Sequence, residues 1–431
     1  MHASPASPAD PSTVFSAPVI ERDHARPWRM DVQSVRRTLA ALLQRLLSDP
    51  SLRAAGFVFL LTRALIFLVF IIATHITFKE PPTNFGGETH DVRIAIRRYS
   101  IPERLRELAM RSDGSWYIGV ARNGYEKEPF NLDKEHNWAF FPLYPLALRS
   151  IAQFTGHYRL VGIGLSNFFF FIALILLHKL VLAFGYDKSL ANRTIFYVAA
   201  FPTSYFFSLP WTSSLFLLVT AGSFLAAKRG VWWLAGLCAA LASATRYNGI
   251  FLFPALLIFY WQSHRPFKLR ADALWLLLAP TGLLAFMAYL YAITGNAFAF
   301  ADAQAAWKVR WGFFLQPLAT FIISPFELSA GWNFRMLNFA AAVLGLTCCV
   351  AWIMRRHWAW AFYILISVVT PLSTVTLEGH ARYMVSMFPL FIMLAIWGRS
   401  PLVDQTIRTV SLVLLTLMTA FFGFFFSSAL I

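Results

Sequence analysis

Charge is scarce in this chain. Only 13% of its residues are Asp, Glu, Lys or Arg, against 58% hydrophobic, and 43 of its 431 residues are phenylalanine. That balance excludes a water-soluble globular protein, whose core could not hide so much apolar surface. Cysteine is nearly missing: Cys238, Cys348 and Cys349 all fall in apolar runs, with neither a disulfide framework nor a zinc spacing. The apolar runs are long and do not alternate with polar residues, so helices rather than a β-barrel must cross the bilayer. The N-terminal MHASPASPADPSTVFSAP lacks the apolar core of a signal peptide. No grouping of His with Asp or Glu has metal-ligand spacing, so no metal residues are assigned and a divalent cation stays open only through Asp113.

What is abundant is positive charge in short clusters. The formal net charge is +16, but the basic residues sit between apolar runs instead of along one stripe. Cytoplasmic loops of a membrane protein explain them better than nucleic acid, which is not expected as a partner. Residues 1–55 read as a cytoplasmic arm, largely disordered, with an amphipathic helix possible over 34–47. Residues 56–431 form the transmembrane domain.

The first crossing is expected at 56–78 and is followed by a long outer loop, 79–137, with ten basic and ten acidic residues. Later crossings are expected near 159–182, 194–210, 212–227, 272–294, 334–354, 358–376, 382–397 and 409–430. Residues 231–262 read either as one helical hairpin or as two short helices that enter and return. The segment WAFFPLYPLALRSIAQF, 138–154, either spans or re-enters, since it carries two prolines and Arg149. A second outer loop covers 295–333. The fold class is an all-α polytopic membrane protein of about 10 to 12 crossings.

Within the first outer loop, SIPERLRELAM has Glu103 three residues after Ser100, the pattern of a capping box, with Ile101, Leu105, Leu108 and Ala109 on one face. The next stretch, SDGSWYIGVARNGYE, reads as a second short helix that Asp113 caps and that Asn123 and Gly124 stop.

That stretch also resembles the first outer loop of the PIG-V-like membrane mannosyltransferases, the family that adds the second mannose of glycosylphosphatidylinositol anchors. The family pattern, W-D-x-x-W/Y-Y-x-x-I-A-x-x-G-Y, is matched by Asp113, Trp116, Tyr117, Ala121, Gly124 and Tyr125, with Ser112 in place of the first Trp. AFFPLYPLALR (139–149), FPTSYFFSLPWTSSLF (201–216), WWLAGLCAALASATRYNGI (232–250) and HARYMVSMFPLF (380–391) continue the likeness in order. A further departure lies at Trp211-Thr212-Ser213, where the family usually has Tyr-x-Glu.

The resemblance implies a GT-C-like bundle with a helical first outer loop, and a glycosyltransferase that takes a sugar from a polyprenyl-phosphate-linked donor and gives it to a lipid or glycan acceptor among membrane lipids. In such a reaction Asp113 would take the acceptor proton as general base. Cations would hold the leaving phosphate, and Arg246 and Arg382 are the candidates. Arg63 pairs structurally, snorkels or faces a cavity. Glu378 and His380 either assist Arg382 or belong to an ordinary turn. Tyr117, Tyr125 and Tyr144 either line the sugar site or belong to an interfacial aromatic belt. A bacterial inner membrane is the favoured compartment, with the endoplasmic reticulum as the eukaryotic case. The competing functions are a transporter or flippase of a lipid-linked intermediate, in which two half-repeats would be expected, and an inactive scaffold of the same fold.

Overall fold

The computed structural model describes residues 48–78, 94–96, 100–131, 134–264, 270–307, 311–325 and 335–424. Nearly all of the proposed arm, including its amphipathic helix, lies outside these residues.

The chain from Pro50 onward is helical because its apolar runs leave the backbone no other way to satisfy its amides in hydrocarbon. The first helix, α1 (Pro50–His75), has 26 residues, about 39 Å at 1.5 Å per residue, enough to cross a hydrocarbon slab of about 30 Å. Five segments are long and apolar enough to cross: α1, α5 (Tyr158–Ala183), the 271–294 segment ending in α10 (Thr281–Thr294), α13 (Arg335–Met354) and α17 (Pro401–Phe424). Shorter apolar helices complete the bundle: α7 (Ser213–Lys228), α8 (Trp232–Thr245), α14 (Trp358–Leu372) and α16 (Phe388–Trp397). The chain is thus a multi-pass membrane protein. Large apolar side chains such as Phe57, Leu60, Trp275 and Leu402 stand exposed, a surface for lipid and not for water.

The core lies where α5, α7 and α8 pack side by side, with α16 almost wholly buried behind them. Small residues let the backbones approach: a Cβ on Gly236 would fall 2.0 Å from the Trp275 carbonyl oxygen, and one on Gly282 would fall 2.1 Å from that of Ala240. Several expected crossings are interrupted. The helix expected over 194–210 is α6 (Lys188–Ala200), and residues 201–212 continue as buried, largely irregular backbone with one 3-10 stretch at Ser204–Ser208. Such backbone survives at membrane depth only inside protein, and here Arg63 supplies its hydrogen bonds. The Arg63 guanidinium donates to the carbonyls of Ala199 and Ser204, both at 2.9 Å, and to the hydroxyls of Ser204 and Ser208 at 2.9 and 3.1 Å.

The 138–154 segment holds only a short helix. It begins in a 3-10 turn, Asn137–Ala139, tied to the first polar loop, and continues as α4 (Leu143–Thr155), about 20 Å long. Beyond its end, Gly156 to Leu160 share one cleft with residues Arg106 to Asn123 of that same loop. Both ends of the segment therefore lie against the first polar loop. Residues 231–262 form α8 and α9 (Leu252–Ser263), separated by a 3-10 turn, Tyr247–Phe251.

The loop before α4 contains α2 (Ile101–Ala109) and α3 (Asp113–Asn123), and two short strands, β1 (Ile76–Phe78) and β2 (Ile94–Ile96), pair antiparallel at its base. The Ser100–Glu103 box is present, with the Ser100 amide and hydroxyl each 2.8 Å from Glu103 Oε2. Of the expected face of α2, Leu108 and Ala109 are buried and Leu105 packs against the core, but Ile101 is exposed, while Arg104 turns inward and donates to the Ile71 carbonyl at 3.2 Å. The carbonyls at the end of α1 need donors more than Ile101 needs burial.

Candidate active site

The site is assembled from four chain regions. α3 brings Asp113 and Tyr117; the junction of the irregular stretch with α7 brings Trp211, Thr212 and Ser213; the break after α8 brings Arg246; and α15 (His380–Met384) brings Arg382 and Tyr383.

Asp113 is the first residue of α3 rather than its cap, and Ser112 precedes it in a conformation with φ 51°. A positive φ on a serine stores roughly 1–3 kcal/mol of strain, as recurs at functional sites. The strain is set by close packing: a Cβ on Gly114 would meet the Ala109 carbonyl oxygen at 2.3 Å, so α3 starts pressed against the end of α2. At the other end Gly124, with φ 82°, stops the helix as its sequence predicts.

Arg382 reaches Asp113 across 269 residues of sequence, its Nη1 donating to Oδ2 at 2.8 Å. Among the described residues Oδ1 accepts one long hydrogen bond, from the Ser112 hydroxyl at 3.4 Å, and so keeps accepting capacity. The Arg382 guanidinium lies 5.0 Å from the Trp211 ring centroid and 5.1 Å from that of Tyr383, while its Nη2 donates to the Tyr383 hydroxyl at 3.2 Å.

Arg246 sits where α8 breaks, with φ −153° and ψ 149°. Its Nε donates to Thr212 Oγ1 at 2.7 Å and its Nη2 to Ser213 Oγ at 2.8 Å. Among the described residues Nη1 of Arg246, Nε of Arg382, Nε1 of Trp211 and Oδ1 of Asn248 are buried without a hydrogen-bond partner. Buried donors are ordinarily satisfied, so several open ones beside a carboxylate mark room for an anionic ligand.

The other candidates from sequence divide. Tyr117 belongs to the site: its hydroxyl lies 3.4 Å from Thr212 Oγ1, and burial, with the Asp113 charge added, pushes it up to about 12. Tyr144 is sealed, donating to the Gly162 carbonyl at 3.0 Å and lying 2.8 Å from Ser166 Oγ. Tyr125 holds the Phe140 carbonyl at 2.5 Å. His380 is fully buried beside Arg382 but turned away from water, and burial pushes it down to about 4. Glu378 is exposed. Trp211, Thr212, Ser213, Tyr383 and Asn248 are not singled out as site residues by the sequence; the signal present there is that 211–213 is where the family pattern is broken.

Glu126, Glu128 and His136 form a His-acid group, with ligand atoms all within 4.8 Å of one another, although their linear spacing gives no sign of it. The loop folds back on itself there, held by Trp138 Nε1 donating to the Glu126 carbonyl at 3.0 Å.

Fold and site together describe a polytopic membrane protein with a carboxylate and two half-buried arginines beside its first polar loop. Residues 57–268 match the family described as mannosyltransferase (PIG-V), and over that stretch the chain is PIG-V-like. It is 31% identical over 155 residues to the GPI alpha-1,6-mannosyltransferase 2 of Cricetulus griseus and 29% identical over 152 residues to that of Homo sapiens. Each match covers 32% of this chain and 29% of the relative. The oligosaccharyltransferase of Archaeoglobus fulgidus superposes with a TM-score of 0.44 at 11% identity, covering 84% of this chain and 55% of that one, a likeness too loose to carry an argument.

Proposed function

We propose that this protein is an integral membrane glycosyltransferase. It moves a sugar, mannose by its family likeness, from a polyprenyl-phosphate-linked donor to a lipid or glycan acceptor at the outer face of a bacterial inner membrane. One arrangement carries the reading: the Asp113 carboxylate, with one oxygen held by Arg382 and the other open, stands beside two buried guanidiniums that keep unspent N–H donors.

The chemistry balances on these groups. The acceptor hydroxyl oxygen forms a bond to the anomeric carbon, and the bond from that carbon to the phosphate oxygen breaks with inversion. The proton passes to Oδ1 of Asp113. The electron pair leaves on the lipid phosphate, where Arg246 and Arg382 offset the growing charge in a water-poor setting. Thr212 and Ser213 hold Arg246 in place without neutralising it, as the glutamate usual in the family at position 213 would. Tyr117 borders the same space.

The test is transfer by the purified full-length protein from a panel of polyprenyl-phosphate sugars, wild type beside Asp113→Asn. A product in wild type that falls by about 10²- to 10⁴-fold in a folded Asp113→Asn protein supports the reading. Full activity in that variant removes Asp113 from the chemistry, and no transfer from any phosphate donor removes the donor class.

A further inference from the structure

The loop between α3 and α4 carries a second cluster, apart from the Asp113 site. Asp113 opens α3 and the cluster lies past its end, about 16 Å away along the helix. His136 is fully buried and lies flat on Trp138, with ring centroids 3.9 Å apart and planes 7° off parallel. Its Nδ1 faces Glu126 Oε2 at 2.6 Å and Glu128 Oε1 at 3.4 Å.

The far nitrogen decides what this arrangement can hold. Nε2 is 2.9 Å from Asn131 Oδ1, and the Asn131 amide is oriented by its own Nδ2, which donates to the Pro129 carbonyl at 3.4 Å. An amide oxygen only accepts, so Nε2 carries the hydrogen. Nδ1 is then the ring atom that faces the two carboxylates, and what lies between them, a proton on Nδ1 or a metal ion in its place, must be positive. An oxygen acceptor on the far nitrogen is also the outer arrangement that holds metal-bound histidines in one tautomer. Lys134 supplies a single charge from the rim, its Nζ 2.9 Å from Glu128 Oε1 on a side chain 58% exposed.

The frame around the three groups is cross-braced. The Glu126 amide donates to Asn137 Oδ1 at 3.2 Å, and Asn137 Nδ2 donates to the Gly124 carbonyl at 3.2 Å. Ligands so placed lose little freedom on binding.

We propose that Glu126, Glu128 and His136 bind a first-row divalent cation, Zn²⁺ or Mn²⁺, which staples the end of α3 to the 3-10 turn that precedes α4. One imidazole and two carboxylates suit that class, whereas Mg²⁺ and Ca²⁺ favour all-oxygen sites. Bonds of about 2.0–2.2 Å place ligand atoms about 3–4 Å apart, so the Glu126–His136 contact opens slightly and Lys134 swings into solvent. The role is positional and independent of the proposed reaction.

Untagged full-length protein in detergent, stripped with chelator, is equilibrated separately with Zn²⁺, Mn²⁺, Mg²⁺ and Ca²⁺, and bound metal is measured. Wild type should retain about one Zn²⁺ or Mn²⁺ per chain, Glu128→Gln should bind about tenfold or more weakly, and Lys134→Ala should bind several-fold more tightly. Absence of stoichiometric uptake by wild type, or uptake unchanged in Glu128→Gln, overturns the proposal and leaves an ion-paired cluster only. Should Glu128→Gln fail to fold, Lys134→Ala decides: affinity unchanged in that surface variant overturns it too.

Discussion

Arg63 inside α1 and Arg246 at the break after α8 both lie among apolar helices, and the structure gives them opposite surroundings. Arg63 donates to two carbonyls and two serine hydroxyls of the 199–208 stretch, and its guanidinium lies 4.6 Å from the Phe170 ring centroid. Arg246 donates to Thr212 and Ser213 and keeps Nη1 open, while neighbouring Arg382 keeps Nε open beside its bond to Asp113. The lesson is that burial of a charge does not by itself identify a function. An arginine whose donors all find protein acceptors stitches irregular backbone together; one with donors left over is positioned for something the protein does not contain.

The comparison can be broken at its structural end first. Arg63→Leu should cost about 3–5 kcal/mol, because carbonyls and hydroxyls of the 199–208 stretch lose their donor inside the bundle. The measurement is the fraction of monodisperse protein and its Tm in detergent, and a variant as stable as wild type would mean that water or lipid satisfies that stretch instead.

His380 sharpens the comparison from another side, since its ring nitrogens are also buried without full hydrogen bonds but bear no charge. Its folded value lies below its ordinary one, so its share of stability is complete above about pH 6.5 and is lost as pH falls toward 4. About 3 kcal/mol is at stake across that window. Melting curves from pH 7 to 4 should show the loss, and His380→Phe should flatten it; equal slopes in both proteins would assign the acid lability elsewhere.

The smallest effect is expected at the functional end. Arg246→Gln keeps polar contacts with Thr212 and Ser213 yet removes the charge, so it should leave Tm nearly unchanged while lowering kcat/KM for a phosphate-linked donor by about 10- to 100-fold. A fall in Tm like that of Arg63→Leu would erase the distinction between the two arginines.

Much of the local structure is legible in the sequence because it depends on near neighbours. Ser100 and Glu103 are three residues apart and form their box; Gly124 stops α3 because it tolerates a positive φ; α13 and α5 track their apolar runs. Legibility fails where long-range needs override local pattern. The inward turn of Arg104 depends on carbonyls at the end of α1, and the end of the helix at Ala200 depends on Arg63 being there to bond the irregular backbone beyond it. The Glu126–Glu128–His136 group is hidden because its linear spacing is set by a folded-back loop and not by a helix turn.

By itself, then, the sequence determined that this protein lives in a membrane, how long its helices can be, and that its first polar loop holds short capped helices ending near an acid. Composition and near-neighbour periodicity suffice for that, because hydrocarbon forbids unpaired backbone and caps act over three or four residues. Only tertiary structure decided which charges meet. Asp113 and Arg382 are 269 positions apart and Arg246 lies 34 positions from the hydroxyl it grips, distances over which no local rule operates. Their meeting depends on how α3, the 201–212 backbone, the break after α8 and α15 pack around one buried space.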